Sequence, residues 1–309
     1  MAVAVFAAAP AIALAAPAPK TTGSFTRNVG TIAGHERSFV TYVPQNLKPG
    51  APLVFVFHGG GGDGPLARKD FGYEFDMLAD RDGFVVVYPD GISRSWNNCR
   101  KRPVSNAKRM KVDDIAFVEA MIAQEVAAHG IDKNRVFATG HSNGGSLAYR
   151  LAMERPALFA GIAAISANLP EDENNDCEAR NAAMPVMIIN GTADPVSRYE
   201  GGHTVRNGTD QGSMISTGDT ARYWARVNGL PDMPEKTRLP HANASDRTSV
   251  DLEAWTAPEK PSVLLYTING GGHVVPQPYF RFPSQLGLQT QDLDAPSAIW
   301  EFFSKLPSR

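Results

Sequence analysis

An α/β fold, with a mostly parallel central sheet and helices on both faces, is predicted by two features of this 309-residue sequence. Continuous apolar runs of strand length recur along the chain, and segments with helical spacing separate most of them. The composition, 43% hydrophobic and 20% charged, is that of an ordinary globular protein and argues against disordered, collagen-like and coiled-coil chains. Residues 25–43 alternate, as in Ser38-Phe39-Val40-Thr41-Tyr42-Val43, and predict an antiparallel strand pair that turns at Gly34. The runs 53–57 and 84–88 do not alternate, which predicts parallel strands covered on both faces, with a helical stretch between them. Further strands are expected at 135–139, 161–165, 186–189 and 263–268. Val112, Ile115, Val118, Ile122 and Val126 lie on one face of a helix that Gly130 ends. A second helix is expected from Ser142 to Arg155, where Pro156 stops it. Residues 195–250 are rich in Gly, Pro, Asn and charge and read as an insertion before the last strand, with one helix at 217–228. Residues 248–255 alternate and are expected to pair with 263–268 as a hairpin.

The balance of 30 Lys and Arg against 32 Asp and Glu leaves a net charge of -2, so nothing global would collect nucleic acid or an anionic membrane. Residues 1–19 are apolar and Ala-rich, with Ala13-Leu14-Ala15 as a small-x-small signature, and read as a signal peptide cleaved near 15–18; a disordered Ala/Pro tail is the alternative. The run is short for a bilayer and carries Pro10, Pro17 and Pro19, which argues against stable membrane insertion. Residues 20–309 are then one catalytic domain, secreted or periplasmic. In an oxidising compartment Cys99 and Cys177 are expected to form a disulfide, the alternative being two buried thiols. No Cys/His spacing suggests a metal site, and no metal or organic cofactor is expected.

Gly140-His141-Ser142-Asn143-Gly144 fits G-x-S-x-G and falls between a predicted strand and a predicted helix. Flanking glycines permit a sharp strand-to-helix turn that lifts the serine hydroxyl above the sheet. A serine hydroxyl is a weak nucleophile and requires a base and a group to orient that base. In α/β-hydrolases the order along the chain is Ser, Asp or Glu, then His. Asp194 follows the strand 186–189 and His273 follows the strand 263–268, so both project from the same sheet edge as Ser142. The bland readings are a tight turn for Ser142, an Asx turn for Asp194 and a loop histidine for His273. His58-Gly59-Gly60-Gly61-Gly62 follows the strand 53–57, where backbone N–H groups can meet an oxyanion. The expected donors are the N–H groups of Asn143 and Gly60, with Gly61 as the close second. A phosphate cradle is disfavoured, because the P-loop Lys-Ser/Thr is missing and no G-x-G-x-x-G opens a helix.

The stretches HGGGGDG (58–64), Tyr88-Pro89-Asp90-Gly91 followed by Ser95-Trp96-Asn97, VDDIAF (112–117), GHSNGG (140–145) and GGGHVVP (270–276) together resemble secreted polyhydroxybutyrate depolymerase and feruloyl esterase-like enzymes. The matches keep their order from about residue 38 to the C-terminus. The resemblance implies an α/β-hydrolase fold and a carboxylic-ester hydrolase with Ser142, Asp194 and His273 as its triad. It departs at Val274, where many relatives have an aromatic residue after the histidine, and the departure bears on the substrate pocket rather than the triad. Aliphatic polyesters and their oligomers are the favoured substrates, ahead of feruloyl or acetyl groups on plant polysaccharide. A serine peptidase and a non-catalytic binding protein are weaker readings, the second because the triad is intact.

Trp96 and His141 are expected as substrate-binding residues, Trp96 as an apolar wall and His141 as a pocket wall or packing group; for Trp96 the alternative is a core residue under a loop. His58 is expected to brace the oxyanion loop. Six basic residues lie among the twelve from Arg100 to Lys111, either as a solvated loop or at the mouth of the site, where they would attract acidic products or polymer ends.

Overall fold

The computed structural model describes residues 19–102, 104–206 and 208–308, so the expected signal peptide lies, save Pro19, outside the described residues. The chain opens with the hairpin β1 (Ser24–Ile32) and β2 (His35–Val43), whose turn residues Ala33 and Gly34 both take positive φ, 49° and 80°. This is the mirror-image turn that matches the twist of paired strands. There follow β3 (Leu53–Phe57), α1 (Gly64–Asp70), α2 (Glu74–Asp82), β4 (Val85–Pro89), the short α3 (Asn106–Arg109) and α4 (Asp114–His129). Asp113 caps α4 by accepting the Ala116 N–H, and Gly130 ends it in the left-handed conformation. Then come β5 (Val136–His141), α5 (Asn143–Glu154), β6 (Gly161–Ile165) and β7 (Val186–Gly191).

The region expected as an insertion with one helix holds more order than its composition suggested. It contains a separate hairpin of β8 (Gly202–Arg206) and β9 (Thr209–Met214), the helix α6 (Thr217–Val227) and the strand β10 (Glu235–Arg238). The strands β11 (Ser249–Trp255) and β12 (Val263–Asn269) pair antiparallel, as their alternation predicted. The chain closes with α7 (Ala295–Ser304), for which no sequence expectation was formed. Its signals are local: Asp294 caps it, Pro296 sits in its first turn, and Ile299, Trp300, Phe302 and Phe303 are buried.

Ten strands form one sheet in the order β1-β2-β4-β3-β5-β6-β7-β12-β11-β10. The six from β4 to β12 run parallel, and an antiparallel pair flanks them at each end. Alternate residues of the central strands feed two cores. Leu53, Phe55 and Phe57 pack with residues of α4, α5 and α6, while Val54 and Val56 pack with residues of α1, α2 and α7. Full burial on both faces is what the continuous apolar runs encode. The chain leaves β3 first towards β4 and later returns to its other side as β5, so strand order reverses between β3 and β5. The crevice beyond the carboxyl ends of those two strands is where such sheets take their ligands. No helix among the described residues is long and apolar enough to cross a membrane.

Cys99 and Cys177 are joined by a disulfide. Beside it Asp176 N–H donates to the Cys99 carbonyl and Lys108 pairs with Asp176, so the link ties the loop after β4 to the loop after β6. The two cysteines are 78 residues apart, and closing a loop of that length removes unfolded-chain entropy worth about 4 to 5 kcal/mol. A Cys99→Ser/Cys177→Ser double variant is therefore expected to lower the urea midpoint by an amount equivalent to roughly 4 kcal/mol, and an unchanged midpoint would show that the closed loop contributes nothing.

Candidate active site

Ser142 stands between the end of β5 and the start of α5 with φ 55° and ψ −114°, a left-handed strain that a serine adopts only when its surroundings enforce it. The enforcement is visible. Ser142 N–H donates to the Ile165 carbonyl at 2.8 Å, its own carbonyl accepts the Ser146 N–H at 2.9 Å, and α5 is thereby pressed against the sheet. The approach is so close that a Cβ on Gly144 would lie 2.3 Å from the Phe57 carbonyl oxygen, and one on Gly140 would lie 2.5 Å from the Gly144 carbonyl carbon. Both positions require glycine.

Asp194 and His273 arrive from the ends of β7 and β12, which are neighbours in the sheet. His273 Nδ1 and Asp194 Oδ2 are 2.7 Å apart, with both side chains buried. The other carboxylate oxygen, Oδ1, accepts the N–H groups of Val196 and Ser197 at 2.7 Å each. One oxygen of Asp194 thus closes an Asx turn in its own loop, and the other contacts His273. Two glycine-permitted crossings hold the loops together. Ala193 N–H donates to the Gly271 carbonyl, whose oxygen would lie 2.3 Å from a Cβ on Gly191. His273 N–H donates to Leu286, whose carbonyl oxygen would lie 2.0 Å from a Cβ on Gly272. The ring of His141, the residue before Ser142, lies 4.7 Å from that of His273, so all three predicted residues lie at one edge of the sheet.

The glycine loop after β3 is braced from several sides. Gly91 N–H donates to His58 Nε2 at 2.9 Å, which fixes the proton on Nδ1, where the ring donates to the Gly59 carbonyl at 2.7 Å. Burial pushes His58 down to about 4, so the ring is neutral at physiological pH and serves as a strut. Gly61 N–H is spent on the Arg94 carbonyl at 2.8 Å, whereas the N–H groups of Gly60 and Asn143 take no acceptor among the described residues. A Cβ on Gly60 would lie 3.8 Å from that of Asn143, so the two unspent donors share one place beside Ser142. Of the two glycines, Gly60 is the one whose N–H stays unspent among the described residues.

Two expectations are corrected. Trp96 is fully buried, donates its indole N–H to the His58 carbonyl at 2.9 Å and packs edge-on against Phe57. It supports the glycine loop from below and does not wall the cleft, because the indole N–H reaches an acceptor only by turning inward. His141 is also buried, between His273 and Phe282, and is packing rather than substrate-binding; desolvation, with the neighbouring His273, holds its ring neutral. The side chain that does join the loops is Asn143, whose Oδ1 accepts the Trp96 N–H at 2.7 Å while Nδ2 donates to the Trp96 carbonyl. Asp114, from the 112–117 stretch, completes the scaffold. It pairs with buried Arg37 at 2.8 Å and accepts the Asn97 N–H.

The cleft beside Ser142 has a volume of about 150 Å³ and is walled by small and polar residues, among them Ser95, Ser105, Ser146 and Ser166. From the basic segment Arg100 reaches it, together with Arg198 from the loop after Asp194. Sequence reasoning had not singled out Ser166 and Arg198; their signal is position, since each lies in a loop at the carboxyl end of a parallel strand.

A strained serine at the strand-order reversal and an Asp–His pair from the ends of β7 and β12 define an α/β-hydrolase. The chain belongs to the esterase family described as Esterase PHB depolymerase, which matches residues 38–230, and it is a carboxylic-ester hydrolase. It is 28% identical over 297 residues to the putative esterase NocK of Nocardia uniformis subsp. tsuyamanensis, covering 92% of this chain and 84% of that protein. Feruloyl esterase C of Emericella nidulans is 27% identical over 288 residues, covering 91% and 87%. In fold it is similar to an acetyl xylan esterase from Aspergillus awamori, with a TM-score of 0.59 and 18% identity over 91% of this chain and 99% of that one.

The His58 strut carries a pH signature. Its folded value lies below the ordinary one near 6.5, so the unfolded chain takes the proton first as pH falls. The contribution is whole above about 6.5, is lost between there and about 4, and changes no further below that. Comparing urea unfolding of the protein and a His58→Asn variant from pH 7 to 4 is expected to show the gap between them shift by roughly 3 kcal/mol against the histidine form. Parallel pH curves would contradict a neutral, buried ring.

Proposed function

We propose that the protein is a secreted or periplasmic serine esterase that works through an acyl-enzyme, and that its substrates are aliphatic polyesters such as polyhydroxybutyrate and their oligomers. Ser142 Oγ attacks the ester carbonyl, and His273 Nε2 takes the proton while Asp194 Oδ2 holds the opposite ring nitrogen. The N–H groups of Gly60 and Asn143 receive the developing oxyanion. The alcohol leaves with the proton from His273, and a water deprotonated by the same ring then releases the acid. The observation that carries this reading is the buried 2.7 Å contact between His273 and Asp194 at the edge that presents the strained Ser142.

The walls of the cleft support the substrate class. No aromatic side chain among the described residues lines it, and its apolar lining there is limited to small or flexible groups such as Val104, Ala167 and Met214. A feruloyl ring would gain most from an aromatic or broad apolar wall, whereas a short hydroxyacyl unit fits small polar surroundings. The disulfide supports the compartment, because such bonds persist where the environment is oxidising.

The test is a matched panel of p-nitrophenyl acetate, 3-hydroxybutyrate oligomers, methyl ferulate and a peptide amide. Ser142→Ala is expected to lose about 10⁵-fold or more in kcat on every ester cleaved, and Asp194→Asn about 10⁴-fold. The hydroxybutyrate oligomers are expected to exceed methyl ferulate at least about tenfold in kcat/KM. The reverse order would transfer the assignment to a feruloyl esterase, and full activity in Ser142→Ala would remove the acyl-enzyme.

A further inference from the structure

The charge in the cleft is one-sided. Two guanidinium-bearing residues, Arg100 and Arg198, line it, and no Asp or Glu does among the described residues. Arg198 is exposed, and its side chain makes no ion pair or hydrogen bond among the described residues. The second observation lies opposite the solvent. Ser166 follows β6, takes φ 52° and is 2% exposed, yet its Oγ has no hydrogen-bond partner among the described residues. A non-glycine residue held in left-handed backbone with a buried, unspent hydroxyl in a cleft wall is costly unless something occupies the cleft. Ser166 is also the residue after Ile165, whose carbonyl holds the Ser142 N–H, so its place is fixed relative to the nucleophile.

A single ligand group answers both features. A carboxylate accepts a charge-assisted hydrogen bond from a guanidinium and another from a hydroxyl, and a cleft lined only by positive charge concentrates such groups from solution. We propose that Arg198 and Ser166 form a carboxylate-recognition subsite, so that the substrates are esters of hydroxy acids that carry a free carboxyl end. Arg198 supplies the charge and Ser166 Oγ the hydrogen bond; the uncharged interior of a polymer chain offers the hydroxyl an ester carbonyl but gives the guanidinium no charge to pair. This rests on the ester-hydrolase reading and narrows it to chain ends and short oligomers.

The experiment compares the linear dimer of 3-hydroxybutyrate as the free acid with the same dimer capped as its primary amide, alongside p-nitrophenyl acetate. In low salt the free acid is expected to exceed the amide about twentyfold or more in kcat/KM, with the ratio shrinking in 0.5 M salt. Arg198→Gln is expected to cut that ratio about tenfold, and Arg198→Lys to restore part of it, because the charge survives and the fork geometry does not. Ser166→Ala is expected to raise KM several-fold more for the acid than for the amide. A ratio near one, or a ratio that Arg198→Gln leaves unchanged, overturns the subsite, and since Arg198 is exposed its variants test the idea whether or not Ser166→Ala folds. If the amide and p-nitrophenyl acetate are cleaved while the ratio is one, the subsite alone falls. If none of the three is cleaved, the esterase reading falls with it.

Discussion

The contact between α5 and the end of β3 governs the rest of the molecule. With Gly144 packed on the Phe57 carbonyl, the chain between β5 and α5 has no room for an ordinary turn, and Ser142 takes the strained conformation that turns its side chain to the cleft. The same contact brings the first turn of α5, with its unspent Asn143 N–H, beside the glycine loop after β3. Ser142 and the two unspent N–H groups are thus placed by one packing event between backbones. A side chain at Gly144 would separate α5 from β3 and with it both functions.

Around that contact each brace serves more than one element. Asp194 divides its oxygens between its own loop and His273, so the loop that presents the carboxylate is shaped by it. Asn143 holds the loop after β4 by its side chain while leaving its backbone donor free. Asp114, buried with Arg37, anchors that loop again from the opposite side. A buried ion pair of this kind contributes less to net stability than to fixing one arrangement, since its desolvation offsets much of its attraction.

Much of this was legible in the sequence, for definable reasons. The strands covered on both faces announced themselves as unbroken apolar runs, and their carboxyl ends placed Ser142, Asp194 and His273 before any contact was known. The side-chain directions of loop residues were not legible, because no period governs them. Trp96 could equally have faced the cleft, and it faces inward because the His58 carbonyl offers its indole an acceptor. The hairpin of β8 and β9 escaped notice because neither strand alternates apolar with polar residues, and the pair forms a small sheet of its own outside the main one. Ser166 escaped because strain at a single residue has no signature in composition.

The sheet does not close, so each end leaves a row of unpaired backbone groups, and the two ends are unlike. At β10 all four residues are exposed, and Lys236 and Arg238 are paired across to Glu253 and Asp251 on β11. A second chain approaching that edge meets charge that must be stripped of water before any ladder forms. At β1 the exposed apolar residues include Phe25, only partly covered by Arg68 and Tyr42, and Val29. Aggregation of the folded protein would therefore begin at its first strand, and the two termini of the sheet differ in colloidal character although they share one architecture.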